Sequence, residues 1–268
     1  MPIRPTVDLH VHSRYSDGTL APAELAKIAA RRNILALAIT DHDSLAGVEE
    51  KRAACLAQGI ECVIGTELSC ELEGKETHIL SLFADPDSPQ AGRLEAFSRF
   101  REKRMRLMLE RLAGLGIRLN ISDLQVGATG VYGRPHLARA LVERGIVGSV
   151  GEAFARYLYD GGPVHVEKLR LSAAEGIGLA KELGGVAVLA HPGVSNLVED
   201  LEKLVDLGLE GVEAYHPKHG NGLIAGLLDY CRDRKLLVSG GSDYHGPADG
   251  TRIGDARVPA FILEPLRE

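Results

Sequence analysis

The sequence lacks the features that would mark a membrane or secreted protein. Its longest uninterrupted apolar run covers Ile34–Ile39, far short of the roughly 18–20 residues that a bilayer-spanning helix needs. The amino-terminal residues carry charge at once and contain no apolar segment of the kind that a signal peptide requires. We therefore expect no membrane association and a cytoplasmic protein.

Cysteine, tryptophan and excess basic charge are also scarce. The chain has no tryptophan and four cysteines, and because no two of these form a Cys-x-x-Cys pair, thiolate metal sites and redox motifs are not expected. The 31 basic residues against 37 acidic ones give a net charge of −6, which argues against stable binding of duplex nucleic acid through overall charge. No Walker-type phosphate loop and no Gly-x-Ser-x-Gly nucleophile motif is present. We expect reduced, mostly buried thiols at Cys55, Cys62, Cys70 and Cys231.

Short β-branched runs alternate with amphipathic helical stretches along most of the 268 residues. This alternation is typical of βα units and a parallel sheet, so the predicted fold class is α/β. The pattern predicts strands at 7–12, 35–40, 60–66, 77–84, 186–190, 211–215 and 236–239. It predicts helices at 23–32, 48–58, 91–115, 135–144, 150–157, 173–183, 198–207 and 222–234.

The middle of the chain departs from this rhythm, because residues 89–163 carry helical patterns without a clear strand. We predict a small helical insertion domain there, between a first α/β part at 1–88 and a second at 164–268. Eight basic residues lie between positions 93 and 118. They favour a solvated helix face, and the alternative is a basic lid over a polyanionic substrate.

Imidazole and carboxylate side chains occur where predicted strands end. His10 and His12 close the first strand, and His191 directly follows the strand at 186–190. Because the carboxyl ends of parallel strands share one rim of such a fold, we expect these side chains to converge. The candidate metal ligands are His10, His12, Asp17, His42, Glu67, His78, His191, Asp243 and His245.

Nine such groups cannot share a pocket without compensation, because clustered carboxylates repel one another and buried charge is costly. Divalent cations would resolve this, and nine ligands suit two or three ions that share carboxylates. Nitrogen and oxygen ligands without thiolate suit Mn, Fe or Zn. Closely spaced metal ions activate water for hydrolysis at phosphorus, although amidohydrolases use a related site.

Five ordered motifs resemble those of the polymerase and histidinol phosphatase (PHP) family. The resemblance implies a distorted (β/α)7 TIM-like barrel with a two- or three-metal centre that cleaves phosphoesters. Within this family the chain looks most like stand-alone members with a helical insert. The motifs lie at 8–18, 40–43, 65–67, 190–192 and 241–245, and they read DLHVHSRYSDG, TDHD, GTE, AHP and GSDYH.

Those stand-alone members hydrolyse nucleoside 3′,5′-bisphosphates and trim short RNA from its 5′ end. The resemblance implies that Arg134 reaches a substrate phosphate, while His216 and His219 contact phosphate or protonate the leaving group. We predict His191 and His216 as catalytic residues, with a metal-bridging hydroxide as the nucleophile and Mn²⁺ as the preferred ion. The expected substrate is a small phosphorylated molecule, either a nucleoside bisphosphate or a short oligonucleotide.

Several alternatives stay open at this point. The enzyme could be an L-histidinol-phosphate phosphatase, or the chain could be a non-catalytic, polymerase-associated PHP domain. Arg134 could belong to the surface of its helix, and His219 could be an ordinary loop residue. Asp41 and Asp43 are expected to orient imidazoles rather than to bind metal.

Overall fold

The structure is a computed structural model that describes residues 5–126, 131–248 and 250–268. The strands are β1 Thr6–Val11, β2 Ile34–Ile39, β3 Glu61–Leu72, β4 Lys75–Leu82, β5 Leu171–Ser172, β6 Val186–Leu189, β7 Gly211–Tyr215, β8 Leu237–Gly240 and β9 Val258–Pro259. The helices are α1 Pro22–Arg31, α2 Val48–Leu56, α3 Ala91–Gly114, α4 Arg134–Glu143, α5 Val150–Ala153, α6 Ala173–Glu182, α7 Leu201–Asp206, α8 Asn221–Arg234 and α9 Leu263–Arg267. No helix in these ranges is long and apolar enough to cross a membrane.

The strands form one sheet in the order β8-β7-β6-β4-β3-β2-β1-β9. Strands β1, β2 and β3 are parallel to one another, as are β6, β7 and β8. Strand β4 runs antiparallel to both of its neighbours, β3 and β6. The predicted α/β class is confirmed. The reversed β4 and the short β9, which is antiparallel to β1, depart from the predicted parallel arrangement.

The segment after β8 brings the sheet back to its first strand. Val11 and Tyr244 form a parallel bridge, and the His12 N–H donates to Tyr244 O at 2.9 Å. The Asp243 N–H donates to His10 O at 2.8 Å, one step closer to the start of β1. These contacts nearly close the sheet into a barrel, as expected of a distorted TIM-like fold.

The insertion has a hydrophobic cluster of its own. Met105 and Met108 of α3 are buried against Leu137 and Leu141 of α4. The amino-terminal half of α3 instead contributes Leu94 and Phe97 to a cluster that the barrel strands share. Helix α3 therefore passes from one core to the other. The division into parts at 1–88, 89–163 and 164–268 stays a prediction.

Several elements differ from the predicted ones. Strand β3 runs five residues past Glu67, because β4 turns back beside it as a hairpin partner that pairs with its whole second half. The predicted helix at 150–157 is the short α5 followed by a π-helical turn, and the helix at 198–207 begins with a 3-10 turn. The two-residue strands β5 and β9 were not predicted, because segments this short carry no periodic pattern.

Candidate metal centre

The first strand delivers two imidazoles to the barrel mouth. His10 and His12 are two residues apart, so their side chains lie on the same face of β1. Both are fully buried. Their Nε2 atoms lie 3.3 Å and 3.1 Å from Glu67 Oε2, and 3.5 Å and 3.3 Å from Asp243 Oδ1. Two carboxylates from opposite halves of the chain therefore meet the same pair of rings.

Glu67 is the centre of this arrangement, and it lies within β3 rather than after it. Its Oε2 faces three imidazoles and its Oε1 faces two more, at 2.8–3.3 Å. The five are His10, His12, His42, His78 and His191. Because β4 is reversed, His78 in its first half comes to the same rim as residues that follow the parallel strands.

Asp17 and His245 form an outer part of the same cluster. Asp17 Oδ1 lies 3.4 Å from His245 Nε2, and Asp17 Oδ2 lies 3.9 Å from His42 Nε2. The His245 ring stacks on His12 with a centroid distance of 4.1 Å. The structure thus brings all nine predicted ligands to one mouth of the barrel.

Three overlapping groups of these side chains have ligand atoms that all lie within 4.8 Å of one another. The groups are His12, Asp17, His42 and His245; His10, His12, Glu67 and Asp243; and His42, Glu67 and His78. Several of their buried polar atoms have no hydrogen-bond partner in the described structure, among them Asp17 Oδ1, His42 Nδ1, Glu67 Oε2 and His78 Nδ1. Orphaned nitrogen and oxygen atoms that point at one another fit divalent cations well.

The protonation states suit such ions. Burial lowers the pKa of His42 to about 3, although Glu67 and Asp17 oppose the shift. The imidazole is therefore neutral at pH 7 and offers a lone pair. Burial raises the pKa of Glu67, but His78 and His42 hold it well below its usual value. The carboxylate is therefore ionised at pH 7, as a metal ligand must be.

A buried carboxylate that sequence reasoning did not single out orients one of the ligands. Glu213, in the middle of β7, is fully buried and accepts from His10 Nδ1 at 3.0 Å and from the His191 N–H at 2.7 Å. Since Nδ1 of His10 donates, its Nε2 keeps a lone pair on the side of Glu67 and Asp243. The only signal in the sequence was an acidic residue inside an apolar strand.

Asp41 was predicted to orient an imidazole, but in the part of the chain that the structure describes it makes no direct hydrogen bond to one. It accepts from the Ser13 N–H at 2.8 Å, from Ser13 Oγ at 2.7 Å and from Ser16 Oγ at 2.8 Å. Lys51 Nζ lies 2.7 Å from its other side. Asp41 therefore fixes the loop between His12 and Asp17, and the Ser16 hydroxyl that it holds lies 3.5 Å from His12 Nδ1.

Asp43 also has a different role from the predicted one. Its Oδ1 accepts from the Ser69 N–H at 2.7 Å, and its Oδ2 accepts from Nε of Arg101 at 3.0 Å. Burial raises the pKa of Asp43, but the Arg101 guanidinium outweighs this and lowers it. The residue ties the loop after β2 to β3 and does not contact an imidazole through a hydrogen bond in the described structure.

His216 and His219 follow β7 and differ in what they can do. The Nδ1 of His216 accepts from the Lys218 N–H at 3.2 Å. Its buried Nε2 has no hydrogen-bond partner among the described residues and lies 3.9 Å from Asp243 Oδ2. Both ring nitrogens of His219 bind backbone, since Nδ1 donates to Ala214 O at 2.9 Å and Nε2 accepts from Gly193 N–H at 3.1 Å. His219 therefore joins the loops after β6 and β7, and its contact with a substrate phosphate stays a prediction.

The insertion presents a group of cationic side chains beside the cluster. Arg134 donates to Asp160 Oδ1 at 2.6 Å and to Leu158 O at 3.1 Å. Arg104 is buried and donates to Val166 O at 2.7 Å, and burial, with Arg134 and Arg101 nearby, lowers its pKa to about 10. The solvated face predicted for this stretch of α3 is therefore wrong for Arg101 and Arg104, whose side chains turn inward.

Gly241 lets the segment after β8 approach the first strand closely. A Cβ at Gly241 would lie 2.3 Å from the Cβ of His10 and 2.5 Å from its backbone nitrogen. No real Cβ atom tolerates such distances. The segment that carries Asp243 can reach β1 only because residue 241 has no side chain.

Comparison with known proteins places this geometry in a family. Residues 8–116 match the PHP domain. The chain is 34% identical to the 3′,5′-nucleoside bisphosphate phosphatase of Chromobacterium violaceum over 97% of this chain and 94% of the relative. It is 32% identical to the 5′-3′ exoribonuclease of Haemophilus influenzae over 92% of both chains. It is also 32% identical to the phosphoribosyl 1,2-cyclic phosphate 1,2-diphosphodiesterase of Eggerthella lenta over 94% of this chain and 99% of the relative.

Solved structures agree with these relatives. A protein of Bifidobacterium adolescentis described as a metal-dependent phosphoesterase superposes with a TM-score of 0.89 at 29% identity, covering 98% of this chain and 96% of that one. A Chromobacterium violaceum protein described as an amidohydrolase with bound sulfate and no metal superposes with a TM-score of 0.85 at 31% identity, over 98% and 96%. The family resemblance seen in the motifs is confirmed. The chain belongs to the PHP family of metal-dependent phosphoesterases.

Proposed function

We propose that this protein is a phosphomonoesterase that removes the 3′-phosphate of a nucleoside 3′,5′-bisphosphate. The observation that carries the proposal is the position of Glu67, whose two oxygens face five imidazoles at the barrel mouth. A single carboxylate between two sets of nitrogen ligands suits a bridge between metal ions. The 34% identity to a relative named for this activity supports the choice of substrate.

The nine predicted ligands would hold two or three divalent ions, with Mn²⁺ as the first candidate and Fe or Zn as the others. His191 completes the set beside Glu67, with its Nε2 3.1 Å from Oε1 and its Nδ1 3.0 Å from Ser195 Oγ. When bound, the ions would lower the pKa of water and neutralise charge on a phosphate group. The protein's own part is to fix the ligands through Glu213, Asp41 and Asp43.

His216 is the candidate for stabilising the leaving group. Because its Nδ1 accepts a backbone hydrogen bond, the neutral ring carries its proton on Nε2, which faces the cluster near Asp243. That N–H can donate a hydrogen bond to the leaving-group oxygen and stabilise the negative charge that develops there, while water supplies the proton that the leaving group takes up. His191, held next to Glu67, is the second residue that we place against the reacting group.

Arg134 is the candidate for binding the substrate outside the metal ligands. In the structure its guanidinium pairs with the exposed Asp160, a bond that a phosphate could replace with a stronger, bidentate one. Arg104 adds positive charge near Arg134. Lys168, which donates to Glu76 at 2.8 Å, adds positive charge near Arg101. We propose that the insertion, residues 89–163, covers the substrate through these side chains.

Trimming of short RNA from the 5′ end is a second candidate, because relatives with 32% identity carry that activity in their names. Both reactions need the same metal ligands and differ in the product released, which is phosphate from the bisphosphate and a nucleotide from RNA. The remaining enzymatic alternative is an L-histidinol-phosphate phosphatase, which would hydrolyse L-histidinol phosphate. A non-catalytic role beside a polymerase predicts no turnover of any of these substrates.

The test is phosphate release, or nucleotide release for RNA, from adenosine 3′,5′-bisphosphate, a 5′-phosphorylated RNA oligomer and L-histidinol phosphate, each with Mn²⁺. We expect the bisphosphate to be the best substrate. His42→Ala and Asp243→Ala should lose turnover at least 1,000-fold while still folding, since one missing ligand undoes a metal site (about 4 kcal/mol or more at the transition state). Asp229→Asn, on exposed α8, is the control. Full activity in excess chelator, with no metal by elemental analysis, would refute the proposal.

A further inference from the structure

Arg101 is a buried arginine on α3, the helix that contributes to both the barrel cluster and the insertion cluster. It lies midway between Phe97, which packs into a barrel cluster, and Met105, which packs into the insertion cluster. The three residues are four positions apart and therefore share one face of α3. Only 9% of Arg101 is exposed, so its charge needs partners within the protein.

Those partners are two residues next to the metal ligands. The guanidinium donates to Asp43 Oδ2 through both Nε and a terminal nitrogen, and that nitrogen also donates to Ser69 Oγ at 2.9 Å. Asp43 directly follows His42, and Ser69 lies two residues after Glu67. One side chain from the insertion therefore connects the loop after β2 to strand β3 through hydrogen bonds.

Asp43 in turn fixes how His42 and Glu67 face each other. Its backbone N–H donates to Glu67 O at 2.9 Å, and its Oδ1 accepts from the Ser69 N–H at 2.7 Å. Its φ of +47° lies in the left-handed region, where a residue other than glycine needs support from its surroundings. His42 and Glu67 form an isolated bridge at this point, so a change at Asp43 would alter the spacing of two ligands.

We infer that Arg101 is a positioning residue through which the insertion sets the geometry of the metal ligands His42 and Glu67. The inference rests on the proposed metal dependence, but not on the choice of substrate. It assigns to Arg101 a role distinct from that of Arg134, which is not hydrogen-bonded to either loop in the described structure. Movement of α3 relative to the barrel would change the metal centre through this contact.

The test measures binding of Mn²⁺ to the metal-free full-length protein by calorimetry, together with the EPR spectrum of the bound ion. Removal of a residue that orients a ligand typically weakens metal binding by 10–100-fold. We expect Arg101→Met to weaken at least one Mn²⁺ site about tenfold and to change the spectrum. The Mn²⁺ affinity of Arg101→Lys should lie between those of wild type and Arg101→Met, because an ammonium group keeps the charge but lacks the planar fork that reaches both partners.

Arg106→Met is the matched control, because Arg106 lies on the same helix, is exposed and pairs with Glu102. It should bind Mn²⁺ as the unmodified protein does. If Arg101→Met does not fold, Arg101→Lys and Ser69→Ala decide the question by the same measurement. Unchanged Mn²⁺ affinity and spectrum in the folded Arg101 variants would overturn the inference, whatever their melting temperature. A wild-type protein that binds Mn²⁺ but hydrolyses no phosphoester would refute the proposed function and leave the role of Arg101 standing.

Discussion

Lys51 of helix α2 is almost fully buried, and its ammonium group lies 2.7 Å from Asp41 and 3.2 Å from Ile39 O. The perturbation that we consider is Lys51→Met, which keeps most of the side-chain volume and removes the charge. Asp41 would then be a buried carboxylate whose remaining partners are the neutral donors of Ser13 and Ser16. The loop that carries His12 and Asp17 would lose its anchor.

The magnitude follows from the burial of both partners. Breaking a buried ion pair by removing one partner typically costs about 3–5 kcal/mol, because the other charge stays in a poor environment. For a chain of this size about 1 kcal/mol lowers the melting temperature by roughly 2 °C. We therefore expect a melting temperature about 6–10 °C lower, together with weaker Mn²⁺ binding.

Differential scanning calorimetry at pH 7 on Lys51→Met, Arg52→Met and the double variant Lys51→Met/Asp41→Asn checks this. Arg52 is the neighbour of Lys51 on the exposed side of α2, and its pair with Glu49 should contribute less than about 1 kcal/mol. The double variant removes the lone charge, so it should recover part of the loss. The reasoning fails if Lys51→Met and Arg52→Met have the same melting temperature, or if the double variant is no more stable than Lys51→Met.

Two further predictions concern pH and close packing. Burial lowers the pKa of His136 to about 4, so the free energy of unfolding should fall by about 3 kcal/mol as the pH drops from ~6.5 towards 4. In urea unfolding, the stability difference between wild type and His136→Asn should therefore shrink over that range. A constant difference would contradict the assignment. Gly241→Ala places a Cβ 2.3 Å from the His10 Cβ, so it should destabilise the protein by about 1–3 kcal/mol and weaken Mn²⁺ binding in calorimetry. Gly178→Ala, where nothing lies within 4 Å, is its control, and equal effects of the two substitutions would count against the argument.

The convergence of ligands could be predicted because it depends only on where strands end. His10, His12, His191 and Asp243 lie at or just after parallel strands, as predicted. His78 could not be placed by this rule, since strand direction is decided by hydrogen-bond partners that a sequence does not reveal. Its arrival at the same rim depends on β4 running backwards between β3 and β6.

The supporting charges were missed for a different reason. A lysine or arginine on a helix is usually solvated, so Arg101 was interpreted as part of a solvated face and Lys51 was not singled out. The spacing nevertheless carried a signal, because Lys51 lies three residues after buried Val48, and Arg101 lies four after buried Phe97. A cation on the apolar face of an amphipathic helix indicates a buried anion on the element opposite.

The pairing of β1 with β9 has a consequence for how the chain matures on the ribosome. Strand β1 bonds to β2 on one side and to β9 on the other, and Val7 is buried with Val258, Ile262 and Leu266. Strand β1 is therefore synthesised long before β9, the strand that pairs with the start of its outer edge. A nascent chain would expose this part of the edge until residues 258–259 have been made, and a product truncated before residue 258 would leave it open to pairing between molecules.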